Sequence, residues 1–181
     1  MTMISQSLIT KGLNQINFKN NYKMNETLTA DKGRVLKAYE KAKTGRKVML
    51  ENLFGIKTFQ PNIVERIKSF DDVCKEMAVS PKNYICQSDD PDDISANALR
   101  QALLISRCFN ADKKEVVNWA DSNQAKYFHV YKYSPSSGWS LYFVDRWYAV
   151  TNCGSRLAFL DSDHAEYAWE TFKEIYINLI K

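Results

Sequence analysis

The sequence predicts an α+β fold: N-terminal helices, then a three-stranded antiparallel meander packed against a C-terminal amphipathic helix. Three observations predict it. Apolar residues recur at spacings of three and four between Val35 and Phe109, as in helices with one buried stripe. The period changes to two at Lys126, in a stretch dense in tyrosine and β-branched residues, which marks strands. The three-and-four spacing then returns after Asp161. The 181 residues, 45% of them apolar, suffice for one domain with a real core.

Taken in order, residues 1–28 are rich in Asn, Lys, Gln and Ser and read as an arm that is loose or ordered by a partner. Residues 29–181 read as a single α+β domain, mainly helical over 29–109. A first helix is predicted from about Thr29 to Lys43, with Val35, Leu36, Tyr39 and Ala42 on one stripe and lysines and Arg34 around the rest. Gly45 interrupts it. A second short helix, Arg46 to Phe54, ends at Gly55, a suitable C-cap. Helical spacing resumes at Ile63. Ser69 and Asp72 have the spacing of a capping box, so a break there starts a new helix to Ala78, stopped by Pro81. The helix from about Ile94 to Phe109 is apolar around much of its circumference and is taken as the central core helix. The aspartates before it, Asp89, Asp90, Asp92 and Asp93, suit the positive end of its dipole. A calcium loop is the sharper alternative, but its twelve-residue pattern with Gly and closing Glu is absent.

The sheet is placed at 126–160. Lys126 to Tyr133 is the first strand, Ser134 to Gly138 a hairpin loop, Trp139 to Val150 the second strand, and Arg156 to Leu160 a short third. Alternation puts Tyr127, His129, Tyr131 and Tyr133 on one face, with Tyr142, Val144, Arg146 and Tyr148. Trp139, Leu141, Phe143 and Trp147 form the other set, which is expected to face the helix. The tyrosine face is then expected outward, with His129 and Arg146 among the rings. Such a face can stack unpaired bases; cross-strand tyrosine pairing is the plainer account. The last helix, over 161–181, is given a capping box at Asp163 and Glu166 and one stripe: Ala165, Ala168, Trp169, Phe172, Ile175, Tyr176 and Leu179.

Charge is unevenly distributed. The net +4 resolves into +8 over residues 1–68, −4 over 69–125 and zero over 126–181. A basic first third fits an acidic partner, nucleic acid or protein; a solvated lysine-rich face is the alternative. Lys11 follows the apolar residues of Met1 to Thr10 instead of preceding them, so these do not read as a signal peptide. No run of about 18 apolar residues offers a membrane span.

Motifs for catalysis are missing. The six glycines make no Walker loop and no G-x-G-x-x-G. His129 and His164 have no partner at metal spacing. Cys74, Cys86, Cys108 and Cys153 are irregularly spaced and read as small buried apolar residues. Cys153 in a turn, or His129, is the only opening for a small hydrolase. No cofactor, metal ligand or catalytic residue is assigned.

Several strings resemble short proteins carried by phages and mobile elements of Bacteroides and related bacteria. They are Glu51-Asn-Leu-Phe-Gly55, Ser69-Phe-Asp-Asp-Val-Cys-Lys-Glu-Met77, Lys126-Tyr-Phe128, Gly154-Ser-Arg-Leu-Ala-Phe159 and Ala165-Glu-Tyr-Ala-Trp-Glu-Thr-Phe-Lys-Glu-Ile-Tyr176. The resemblance spans about residues 50–181 and implies a genomic setting, with no catalytic residues carried over. That setting implies a bacterial host and action by binding, and the lack of a signal-peptide or span pattern leads to the expectation of a cytoplasmic place in that host. The expected partner is a host protein or ribonucleoprotein complex, the expected role that of a host-defence inhibitor of anti-CRISPR type. Alternatives are a single-stranded RNA- or DNA-binding accessory protein and a virion accessory protein. The expected contact residues are Arg34, Lys37, Lys41, Lys43, Arg46 and Lys47, with Tyr131 and Arg146 secondary.

Overall fold

The computed structural model describes residues 30–113, 115–151 and 154–181; the 1–28 arm and Cys153 lie outside them. The chain divides between Lys43 and Thr44 into two units, and the first helix, α1 (Lys32–Glu40), is therefore described by itself. The Asp31 carboxylate caps it, accepting from the Arg34 N–H at 2.8 Å. No residue of α1 is buried.

In the second unit α2 (Thr44–Phe54) ends at Gly55, whose φ of 78° needs a residue without a Cβ. Next come α3 (Ile63–Arg66) and α4 (Phe70–Glu76). The capping box at Ser69 forms as predicted: the Asp72 carboxylate accepts from the Ser69 N–H at 2.9 Å, and Ser69 Oγ accepts from the Asp72 N–H. The core helix α5 runs Pro91–Asp112, longer than predicted, because Asp90 caps it one turn early, accepting from the Asp92 and Asp93 N–H groups.

Ile63, Ile67, Val73, Cys74, Ile105, Phe109, Phe159, Trp169 and Tyr176 are all buried in one cluster around α5. Each large apolar side chain there contributes about 1.5–3 kcal/mol. Among the described residues no helix is long and apolar enough to cross a membrane.

Three expectations need correction. The sheet is a two-stranded antiparallel ribbon, β1 (Lys126–Ser134) with β2 (Gly138–Trp147). The expected third strand instead forms a 3-10 turn at Ser155–Leu157 and a single bridge in which Phe159 exchanges two hydrogen bonds with Tyr127. Side chains of α5 claim the other backbone groups. Ser106 Oγ donates to the Arg156 carbonyl at 2.9 Å. Asn110 donates to the Ala158 carbonyl and accepts from the Leu160 N–H. A segment held that way cannot also form a ladder.

The faces of the ribbon are also reversed. Tyr127, His129 and Tyr131 pack inward against the core. A β-bulge explains the partners: Val130 pairs with Phe143 and Tyr131 with Leu141, so Tyr142 opposes nothing. The extra residue shifts the alternation, and Leu141 joins Val144 on the inner face. Tyr142 and Phe143 are left exposed.

Finally, the C-terminal helix is two helices, α6 (Ser162–Thr171) and α7 (Lys173–Ile180), broken at Phe172 with φ −118° and ψ 28°. Asp161, not Asp163, caps α6. The break lets α6 face the ribbon while α7 lies along α5, where Ser95 Oγ donates to the Leu179 carbonyl at 3.2 Å.

Candidate functional site

The predicted contact residues fall into separate settings. Arg34, Lys37, Lys41 and Lys43 are exposed on and just after α1. At spacings of three and four, the first three share one face of the helix. On α2, Arg46 is exposed and Lys47 half-buried with a partner of its own. Among the described residues, Arg34, Lys37, Lys41, Lys43 and Arg46 have no acidic partner within 4 Å. Tyr131 is half-buried, its ring 5.5 Å from that of Trp169. Arg146 is exposed with its guanidinium 5.8 Å from the Tyr148 ring, and it pairs with Tyr127, four residues along β1 from Tyr131. The ribbon therefore does not join Tyr131 and Arg146 into one outward face.

His129 is a structural residue. Its Nε2 lies 2.6 Å from the Ala165 carbonyl. A carbonyl only accepts, so Nε2 carries the proton and Nδ1 accepts from the Tyr131 hydroxyl at 3.3 Å. The Tyr176 ring stands edge-on at 4.6 Å. Burial pushes the His129 pKa down to about 4, so the ring is neutral at pH 7. Both nitrogens are engaged, which leaves neither for a substrate. The neighbouring Tyr176 hydroxyl is buried with no hydrogen-bond partner among the described residues, and burial drives its pKa up. Cys108 is likewise raised to about 12 by burial, and Cys74 is raised for the same leading reason. Neither is a thiolate nucleophile. Among the described residues no three His, Cys, Asp or Glu side chains converge to hold a metal.

A sizeable concavity lies elsewhere, along α5. It is a groove of about 720 Å³, within the size range of small-ligand sites. Arg100, Leu103 and Arg107 line it from α5, Val116, Val117 and Trp119 from the following loop, and Arg156 from the 3-10 turn. Arg100 and Arg107 are seven residues apart, hence on one helix face and separated by about 10 Å along the axis. Among the described residues Glu115 is the only acidic one in the lining.

The three arginines are held differently. The Arg100 guanidinium donates to the Asn83 carbonyl at 2.9 Å and lies 5.4 Å from the Tyr84 ring centre. Arg107 uses Nε for the Leu103 carbonyl at 3.2 Å, leaving its terminal nitrogens without a described partner. The Arg156 guanidinium has none among the described residues, though its backbone carbonyl is fixed by Ser106. Trp119 is held by buried Lys126, whose Nζ lies 5.3 Å from the ring centre and donates to the Asp121 and Gln124 carbonyls, and its ring lies 6.4 Å from that of Phe128.

Sequence reasoning missed this groove. The one local signal is the seven-residue spacing of Arg100 and Arg107 on the core helix. The net acidity of residues 69–125 obscured it. Protein-family models, curated proteins and solved structures all fail to match this chain.

Proposed function

We propose that the protein works by binding and not by catalysis: it docks on the phosphate backbone of a nucleic-acid-containing complex of its host. The observation that supports this is the set of exposed cations on and just after α1, Arg34, Lys37, Lys41 and Lys43, which lack carboxylate partners among the described residues; Arg46 of the second unit is exposed in the same way. A surface cation with no internal partner loses nothing when it meets a phosphate, and each contact releases condensed counterions. The resemblance to phage and mobile-element proteins supplies the setting, so the proposed role is inhibition of a host-defence ribonucleoprotein.

The inward packing of Tyr127 and Tyr131 favours this reading over base stacking on the ribbon, which keeps Tyr133 and Tyr142 exposed at 61% each. The engagement of both His129 nitrogens favours it over hydrolysis.

The test is charge reversal of Arg34, Lys37, Lys41 and Lys43 to Glu. Capture of the complex from host lysate, with and without nuclease treatment, should be lost in the variant. Anisotropy titrations on a 20-nucleotide RNA should show the salt dependence flattened by about 0.7 for each contact removed. Unchanged capture and an unchanged salt slope would remove the α1 segment from the account.

A further inference from the structure

We infer that the α5 groove is a nucleotide site, which takes the phosphate of a nucleotide on Arg107 and Arg156 and its base against Trp119. The inference deepens the reading above and rests on it for the choice of nucleic acid. Its own support is local.

First, the groove concentrates positive charge over an apolar floor. Arg100, Arg107 and Arg156 line it against a single carboxylate among the described residues, Glu115. In a concave, low-dielectric setting such a field is focused and selects an anion. Second, the donors are free. Asn110 lines the groove but both ends of its amide are engaged by Ala158 and Leu160, and Arg100 is tied to Asn83. The terminal nitrogens of Arg107 and the whole guanidinium of Arg156 remain, and a planar fork of N–H donors matches phosphate oxygens.

Third, much of the rest of the lining is apolar. Trp119, Leu103 and Val117 offer surface to a ring, and Lys126 fixes the indole by its contact. Stacking of a base on an aromatic side chain is tolerant of base identity. An inorganic anion would use the arginines and leave this floor idle. An apolar ligand would leave the arginines idle. A nucleotide uses both.

The source of the nucleotide is either a free mononucleotide or an unpaired residue within a strand, and the two are separated by the probe. The full chain is titrated calorimetrically with adenosine 5′-monophosphate, with a ten-residue single-stranded oligonucleotide and with inorganic phosphate. The comparison set is wild type, the double variant Arg107→Ala/Arg156→Ala, Trp119→Leu, and the α1 charge reversal. Arg100 is left intact because it holds the Asn83 carbonyl. Far-UV circular dichroism verifies that each variant is folded.

The expected result is nucleotide binding that weakens at least tenfold in the double variant and at least threefold in Trp119→Leu, with inorganic phosphate much weaker than either nucleotide. The α1 reversal should leave mononucleotide binding unchanged. Equal binding of inorganic phosphate and nucleotide would overturn the base contact and the inference with it. Wild-type binding of neither nucleotide probe would overturn the inference, as would binding indifferent to Arg107 and Arg156. Strand binding lost on α1 reversal but indifferent to the groove would end this inference and spare the proposed function. Mononucleotide binding at the groove, together with lysate capture indifferent to α1 reversal, would do the opposite.

Discussion

Arg66 and the groove arginines are the same side chain in opposite circumstances. Arg66 is buried, with its guanidinium 2.6 Å from Asp112 and 3.3 Å from Glu76, and it donates to the Gln60 and Pro61 carbonyls at 2.8 and 2.7 Å. It ties α3, α4 and α5 together at the edge of the core. Arg107 and Arg156 are exposed on the far side of α5 and touch no carboxylate among the described residues. The difference teaches how to tell a cation of the fold from a cation available to a partner. The first has its charge and its terminal donors matched inside the molecule, and only its buried Nε finds no partner among the described residues. The second is held in place by its own backbone and has donors to spare.

The most severe way to test that contrast is Arg66→Ala. It removes the partner of two carboxylates and the donor to two carbonyls, and breaking such a buried pair costs about 3–5 kcal/mol. Glu76 keeps Lys57 at 2.7 Å, which places the expected loss at the lower end. Urea denaturation followed by circular dichroism should show the midpoint falling at constant slope. A loss below about 1 kcal/mol would mean that Arg66 is as dispensable as a surface residue and the contrast is empty.

A second, smaller effect asks what happens to a buried cationic type that has no carboxylate at all. His129 has a carbonyl and a hydroxyl for partners, and burial lowers its pKa from 6.5 to about 4. The unfolded chain therefore takes up a proton between those values that the folded chain refuses. The stabilisation is fully present above about pH 6.5 and is lost as pH falls towards 4, by about 3 kcal/mol over the window. His164, also lowered by burial, adds in the same direction, as does Asp161, whose pKa is depressed. The discriminating comparison is His129→Gln, which keeps an N–H donor and does not titrate. Its stability should change less between pH 7 and pH 4.5 than that of the wild type. Parallel pH curves would show that His129 is already charged in the fold.

These contrasts also explain what the sequence could disclose. The Ser69–Asp72 box and the apolar circumference of α5 were legible because each is set by residues within one or two turns. The faces of the ribbon were not: the side of β1 that is covered is decided by α6, distant in sequence, and the bulge at Tyr142, which brings Leu141 to that side, is a property of cross-strand register. The third strand failed for a longer-range reason. Ser106 and Asn110 stand about fifty positions before the backbone they capture, so no local pattern announces the competition. The break at Phe172 is similar: its stripe is continuous in sequence, yet two neighbours, the ribbon and α5, demand two directions. The α1 cations were legible as composition. The groove was not, because α5, the loop after it and the turn at Arg156 meet only in the folded chain.

The smallest expected effect is the one that defines the second half of the contrast. Arg107→Ala/Arg156→Ala should change stability by less than about 0.5 kcal/mol, as for surface substitutions away from any network. Arg107 loses one bond to a carbonyl of its own helix, and Arg156 loses no described contact. Against that stands some relief of repulsion among three like charges, which salt screens over about 10 Å at 0.1 M. The two terms oppose, so the double variant should sit closest to wild type, or slightly above it, at low ionic strength. The readout is a urea midpoint at 20 mM and at 300 mM salt. A loss of more than 1 kcal/mol at either would place these arginines with Arg66, among the residues that hold the chain together, and would deprive the groove of its unclaimed donors.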